Sequence, residues 1–379
     1  MSDIFLFGTV SHLPLLRTVL GRGLNDLQIL PCDLRDHTGI VGPDDTGLLL
    51  QPEDGKTVSG LLVRGLGDRD IARLAYYAGA LGKQRKTVTL HPGDGSVLQG
   101  QVFFQRPSQQ NAPAQGPTGQ ACSDEGWVAK WGPFAVRVAT EVMVHFGHLS
   151  EKQIASRLPG IRIRAAAWVA AQARPADLTR DLSRDVVVHA HHHPYSNFFA
   201  AQEMDLQYRR FDGTLSPVLN RGAQVLGQAV AVLPYDPARD AVLLLEQFRT
   251  PVFIAGDRAP WVVEPVSGLI DPGETPQMAA HRETMEEAGL HLSRLEPVAS
   301  VYSSSGSSTE FVHIFIGLSD LGDVNKDGGL AEEGEDIRSR VVGFDALMQG
   351  IDTQQFCDMP LVTAALWLGR HHDRLRISA

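Results

Sequence analysis

The sequence predicts an α+β protein laid out as a small mixed α/β unit, a helical connector and a longer β-rich unit whose strands flank one loop-helix-loop. Three observations predict it. Short apolar runs alternate with helix-spaced stretches over roughly the first 100 residues. Apolar residues then recur three and four apart from about 125 to 173. Beyond about 185 the chain turns to strand-like runs rich in Val, Ile, Tyr and Phe, interrupted by a carboxylate-rich segment at 268–290.

Residues 1–106 make the first unit. The apolar run at 4–7 reads as a strand ending in Gly8 and Thr9, and a helix follows over Leu13–Leu20. A strand is expected at 58–63, a helix at 71–81 and a closing strand at 101–104. Residues 107–184 come next. Pro, Gln, Ala and Gly crowd 107–120 without periodicity, which reads as a linker. Trp131, Phe134, Val138 and Val142 then take helical spacing, and Ser150 is placed to cap a further helix over 150–158. The third unit is 185–379. Strands are expected at 186–189, 198–208, 228–233, 241–246, 295–302, 310–318 and 341–344, with a loop at 303–309 and a terminal helix opened by Pro360.

Composition narrows the function classes. The formal charge of -10 argues against a general grip on nucleic acid. It leaves a small anionic substrate open, because a bound cation can supply local positive charge. Cys32, Cys122 and Cys357 are too few and too far apart for a disulfide framework or a zinc site. The opening residues have Asp3 and no basic stretch before their short apolar run, and no run approaches membrane-spanning length. The expectation is a cytoplasmic protein with no membrane partner.

The segment 268–290 carries the chemistry. Gly268, Glu274, Arg282, Glu283, Glu286, Glu287, Gly289 and Leu290 stand at fixed intervals. Pro272 and Gly273 make a turn, and 274–288 reads as a helix closed by Gly289. On that helix Glu283 and Glu287 are four apart and share a face, with Glu286 on the adjoining strip. Arg282 and Glu286 are also spaced to pair. Carboxylates this close repel one another unless a cation sits among them, and hard oxygen ligands suit Mg²⁺ or Mn²⁺. A Glu-rich stretch is usually a solvated helix face. Seven identities at fixed spacing, at about one in fifteen each, would match by chance in roughly one chain in several hundred thousand. The spacing is that of the Nudix box, whose one departure here is Thr284 in place of an aliphatic residue. A small packing change is expected there. Such a box supports attack of water on a pyrophosphate phosphorus, with metal ions neutralising phosphoryl charge and a separate carboxylate taking the proton.

From about 195 to 367 the chain resembles the ADP-ribose pyrophosphatase branch of the Nudix superfamily. The resembling stretches are Tyr-Ser-Asn-Phe-Phe at 195–199, Tyr-Arg-Arg-Phe-Asp-Gly at 208–213, the strand pair at 227–249, and Trp261 with Glu264. Ser-Ser-Gly-Ser-Ser-Thr-Glu at 304–310 is similar to the branch's Ser-Pro-Gly-Gly-Thr-Ser-Glu loop, with Ser305 and Ser307 as departures. The acidic run at 329–337 is close to the branch's acidic loop, although alone it would read as a solvated surface. The resemblance implies roles position by position. Glu283 and Glu287 match metal-binding glutamates, Ser267 a metal-facing backbone carbonyl, and Glu335 a further metal-associated carboxylate. Glu333 matches the proposed general base, beside Glu286 and Arg282 of the catalytic box. Arg249, Arg221 and Glu310 are expected to contact substrate, an arginine being suited to bind two phosphate oxygens at once. The implied protein is a homodimer, and the implied reaction is Mg²⁺-dependent hydrolysis of ADP-ribose to AMP and ribose 5-phosphate. Alternatives are another nucleoside diphosphate sugar, NADH, or a nucleotide-sensing module.

The first unit resembles the γ-glutamylcyclotransferase-like α/β barrel, through Phe-Leu-Phe-Gly-Thr-Val at 5–10 and Val-Ser-Gly-Leu-Leu at 58–62. Ala75 and Ala78 stand where that family has carboxylates, so a non-catalytic domain is expected, since a methyl group moves no proton. The expected architecture is therefore a Nudix α-β-α fold with a mixed sheet, preceded by that barrel and the connector. The joined arrangement is similar to bacterial tellurite-resistance-associated Nudix proteins. Two side features get bland readings. His189, His191, His192 and His193 point alternately to opposite faces of a strand and are expected to be a mobile surface patch. Trp127, Trp131 and Trp168 are expected to be core.

Overall fold

A computed structural model describes residues 3–42, 48–106, 124–322, 324, 327–328 and 336–377. The chain divides into two compact units, one of Met1–Asp181 with Tyr195–Phe199 and one of Leu182–Pro194 with Ala200–Ala379. The helices expected as a connector fall in the first unit. The linker at 107–120 lies outside the described residues.

In the first unit β1 (Ile4–Leu6), β2 (Gln28–Val41), β3 (Leu48–Arg64), β4 (Lys83–Pro92) and β5 (Leu98–Gln105) close into a barrel of order β1-β3-β2-β4-β5. Of the long hairpin β2–β3 the sequence expectation has only 58–63, because the register shift between Arg35 and His37 and the polar run at 51–57 break the period of two. At Gly60 a Cβ would stand 2.5 Å from the Leu6 carbonyl and 2.6 Å from the Phe5 ring, so only glycine lets β1 approach β3.

Helices α1 (Leu13–Leu20), α2 (Asp68–Ala80), α3 (Asp124–Val144), α4 (Glu151–Ala155) and α5 (Leu158–Gln172) belong to the same unit. Leu16, Leu74, Tyr77, Trp131, Val138 and Ile161 share one core. Trp127 and Trp131 are buried as expected, whereas Trp168 is 42% exposed, because it stands on the outer side of α5. Polar contact within the unit centres on Arg164. Its Nε donates to Glu141 at 2.9 Å, and its Nη1 donates to the carbonyls of Asn197 and Phe198 at 3.0 and 2.9 Å. Both charged side chains are nearly inaccessible, at 2% and 3%.

The second unit opens with α6 (Leu182–Asp185), then β6 (Val186–Ser196), β7 (Ala200–Tyr208) and β8 (Leu219–Val225) in a three-stranded sheet. The histidines expected as a mobile surface patch lie on β6, with His189, His191 and His192 exposed. His189 meets Gln207, His191 meets Gln202 and His192 meets Asp205, at 2.9, 2.9 and 3.1 Å, because alternate side chains find polar partners on β7.

Eight strands form the main sheet: β9 (Gln228–Asp236), β10 (Ala241–Phe248), β11 (Trp261–Glu264), β12 (Val266–Leu269), β13 (Arg294–Tyr302), β14 (Phe311–Leu318), β15 (Asp327–Gly328) and β16 (Ile337–Gly343). Its order is β13-β14-β9-β10-β16-β15, with β11 on β10 and β12 on β9. β14 runs parallel to β9 and the other pairs are antiparallel, so the sheet is mixed as expected. Alternation in β9 and β10 sends side chains both ways. Val230, Val232, Leu243 and Leu245 pack with Ala279 and Ala280 of α8 (Pro276–Ala288). Ala231, Leu233, Val242 and Leu244 pack with Leu347 of α9 (Phe344–Asp352) and Leu361 and Leu368 of α10 (Met359–Ile377). A short helix, α7 (Thr250–Ile254), follows β10. Asp358 opens α10 by accepting the Leu361 N–H at 2.8 Å.

Two stability outcomes follow from these buried charges. Arg164→Met leaves the Glu141 carboxylate buried and unpaired, which should cost about 3–5 kcal/mol. The double change with Glu141→Leu should recover most of that in urea unfolding. An equal loss in both variants would place the stabilisation in the bonds to 197 and 198 instead. At Asp358, burial, with repulsion from Glu264 and Glu310, pushes the carboxyl up to about 6, against the pull of the Leu361 N–H and Arg249. The folded chain thus holds this proton more tightly than the unfolded chain. Its stabilising contribution is complete below the ordinary carboxylate range and lost as pH rises through about 6. Asp358→Asn keeps the cap. It should match the parent below about pH 4 and exceed it by up to about 3 kcal/mol above about pH 7. A pH-independent difference between the two denaturation curves would refute the assignment.

Candidate active site

The local chain already sets much of the site. α8 starts at Pro276, two residues later than the spacing implies, with Thr275 Oγ1 accepting the Met278 N–H at 3.2 Å. Gly289, at φ 65°, closes the helix. Starting the helix late leaves Glu274 in the loop, where it accepts the Asp271 N–H at 3.1 Å. Thr284 is fully buried, and its hydroxyl donates to the Ala280 carbonyl at 2.7 Å. The one departure from the box therefore adds no unsatisfied polar atom to the core.

Arg282 sits at the centre of a network. Its guanidinium donates to Glu274 at two 2.8 Å bonds, to Glu283 at 2.7 Å, to Glu286 at 3.0 Å and to the Leu269 carbonyl at 3.0 Å. The pairing with Glu286 expected from spacing is present. The hydrogen bonds with Glu274, foremost, raise the arginine's pKa and hold Glu274 below the usual carboxylate range. Arg282, expected among the catalytic residues, ties the loop to the helix through these donors.

β12 brings its backbone to the carboxylates of α8. The buried Glu287 accepts the Ser267 N–H at 3.0 Å. At Gly268 a Cβ would lie 2.0 Å from the Glu283 carboxylate, so the absence of a side chain makes room for that group. Glu283 and Glu287 thus reach consecutive residues of one strand, with Glu286 tied to the same arginine.

A second group of charges lies behind them. Arg249, just after β10, donates to Glu264 at 2.9 and 2.5 Å and to Ser267 Oγ at 3.5 Å. Burial alone would lower its pKa, but Glu264, with Glu287 and Asp358 acting through space, raises it. The substrate contact expected of Arg249 is qualified by this pairing: one edge of its guanidinium is already held. Asp358 belongs to the group and is absent from the sequence expectation. The available signal is an acid two residues before Pro360, a helix-opening pattern that says nothing of the site. Glu310 is brought near Asp358, whose proton it helps hold. Its loop is knitted by serines: Ser304 and Ser307 hydroxyls are 2.8 Å apart, and Gln224 bonds to the backbone of both Ser307 and Thr309. Arg221 stands exposed on β8 opposite Met204, donates to the Asn220 carbonyl at 2.9 Å and has no hydrogen bond to the box among the described residues. Glu333 and Glu335 lie outside the described residues.

Among the described residues no three Asp, Glu, His or Cys side chains gather as a ready cage for a metal. Two carboxylates, Glu283 and Glu287, beside the backbone of β12 still fit a divalent metal such as Mg²⁺. That ion keeps several waters and is usually held by one or two protein carboxylates together with substrate phosphates.

The NUDIX domain family model matches residues 225–356. The chain is 35% identical over 192 residues to the ADP-ribose pyrophosphatase of Escherichia coli (strain K12), covering 51% of this chain and 91% of that one. It is 33% identical over 186 residues to the ADP-ribose pyrophosphatase of Haemophilus influenzae, covering 48% and 86%. It is 31% identical over 140 residues to the GDP-mannose pyrophosphatase of Cronobacter sakazakii, covering 36% and 71%. With the box closed by Arg282 and these relatives matched over most of their length, the chain belongs to the Nudix hydrolase family.

Proposed function

We propose that this protein hydrolyses the pyrophosphate bond of ADP-ribose, giving AMP and ribose 5-phosphate, with Mg²⁺ as its metal and Mn²⁺ as a substitute. One observation carries the reading: Glu283 and Glu287 converge on Gly268 and Ser267, in a chain related to ADP-ribose pyrophosphatases.

Glu283 and Glu287 would hold the metal, with the Ser267 carbonyl and Glu335 as further donors. When bound, the metal neutralises phosphoryl charge and lowers the pKa of water. The chain's own residues do the rest. Arg282 holds Glu283 and Glu286 of α8 and offsets the mutual repulsion of these carboxylates, while the Ser267 N–H orients Glu287. Arg249 keeps donors beyond those on Glu264 for a diphosphate oxygen, while Arg221 and Glu310 supply further substrate contacts. Glu333 takes the proton from the attacking water, with Glu286 in support.

The first unit is read as a non-catalytic relative of the γ-glutamylcyclotransferase-like barrel, in the arrangement of tellurite-resistance-associated Nudix proteins, with residues 1–106 and 185–379 as the two functional domains. The cavity beside 7–10 is lined by Phe5, Phe7, Thr9, Tyr77, Ala78 and Lys83 among others, and no carboxylate lines it among the described residues. That supports the absence of cyclotransferase chemistry there. We read the protein as a cytoplasmic homodimer acting on a small nucleotide sugar. Among the described residues no helix is long and apolar enough to cross a membrane.

Purified protein given ADP-ribose, GDP-mannose, NADH and nucleoside triphosphates, each with Mg²⁺ or Mn²⁺, should release AMP and ribose 5-phosphate from ADP-ribose at the highest kcat/KM. Preference for a triphosphate, or no turnover of ADP-ribose, would sink the proposal. A preference for GDP-mannose would move the substrate while keeping the reaction. Glu287→Gln keeps an oxygen for the Ser267 N–H and removes the charge. It should lower kcat/KM by about 100-fold or more with unchanged thermal melting. A rate near the parent's would remove Glu287 from the metal site.

A further inference from the structure

We infer that the first unit carries a second small-molecule site, for an organic anion with a flat apolar body, in the concavity between the start of α1, α3 and α5. The concavity holds about 560 Å³, within the range of small-molecule pockets. Most of its wall is apolar, including Val128, Pro133 and Val136. Its polar side chains among the described residues are His12, Arg137, Trp168 and Thr140, the last already donating to the Val136 carbonyl.

The Arg137 guanidinium lies 5.2 Å from the centroid of the Trp168 ring. A guanidinium over an indole uses its face and leaves its in-plane N–H donors free to grip two oxygens. Glu141, four residues along α3, has the spacing to pair with Arg137. That carboxylate is instead turned to Arg164, whose Nε meets it at 2.9 Å. Among the described residues Arg137 has no hydrogen-bond acceptor, and burial pulls its pKa below the ordinary arginine value. Glu141 acts on Arg137 only through space and not by a hydrogen bond. A partly buried cation without a bonded anion is costly, and a carboxylate or phosphate entering the concavity would relieve that cost. Among the described residues no Asp or Glu lines it.

Two neighbours define the rest of the ligand. Trp168 presents an indole that is 42% exposed, unlike the buried Trp127 and Trp131, and so offers a flat apolar surface. His12, on the α1 side, stands with its Nε2 3.2 Å from where a Cβ on Gly132 would be. Burial lowers its pKa, which keeps the ring neutral and able to donate or accept one hydrogen bond. All of these residues belong to the first unit, away from the Nudix box in the chain.

The test is calorimetric titration of the full-length protein with 2-naphthoate, with neutral 2-naphthamide and with AMP, in EDTA so that the box carboxylates hold no divalent cation. Naphthoate should bind once per chain, about tenfold or more tighter than naphthamide. Arg137→Met and Trp168→Leu should each weaken naphthoate about tenfold or more, with ADP-ribose hydrolysis unchanged. Arg137→Lys, which keeps charge and loses the planar fork, should fall between, and it decides the matter if Arg137→Met does not fold. AMP binding that the Arg137 variants weaken would extend the ligand class to nucleotides. Absence of naphthoate binding, equal affinity for naphthamide, or affinity untouched at Arg137 would overturn the proposal.

Discussion

The guanidinium of Arg282 meets Glu274, Glu283, Glu286 and the Leu269 carbonyl, so one cation ties the loop at 269–274 to α8. Each part of the box then has a reason. Glu274 must be off the helix to reach that arginine, which is why Thr275 and Pro276, rather than Glu274, open α8. Glu283 is held where a side chain at residue 268 would stand, which is why glycine occurs there. Without the arginine, three carboxylates within one turn and a half would repel and rotate away from β12.

Behind this network lies a second balance of charge. Arg249 is shared among Glu264, Glu287 and Asp358, with Glu264 in direct contact. Burial, with the acidic Glu264 and Glu310 nearby, makes Asp358 keep its proton to a higher pH. Such a site is poorly suited to a bare diphosphate and well suited to one that arrives with divalent cations. The chain's negative net charge and its family's anionic substrate are reconciled in that way.

The first unit uses a buried pair for a different purpose. Arg164 and Glu141 join α3 to α5 and to the backbone at 197 and 198. Taking Glu141 also leaves Arg137 facing a concavity with that carboxylate acting on it only through space. One ion pair therefore both closes the core and leaves a cation open beside Trp168.

Local signals in the chain determined a good deal: the helix close at Gly289, the strands β9 and β10, the face shared by Glu283 and Glu287, and the pairing of Arg282 with Glu286. All of these depend on residues within a few positions of one another, where backbone geometry sets the distance. Most of the bulged hairpin β2–β3, all but 58–63, escaped because its register shift and polar run mask the period of two. Tertiary structure alone decided that Arg249 is held by Glu264, that Asp358 joins them from the far end of the chain, and that Trp168 faces outward while its two neighbours in type are buried. These depend on which strands and helices become neighbours. Neighbour choice is a property of the whole sheet and its two packed faces, so no local spacing encodes it.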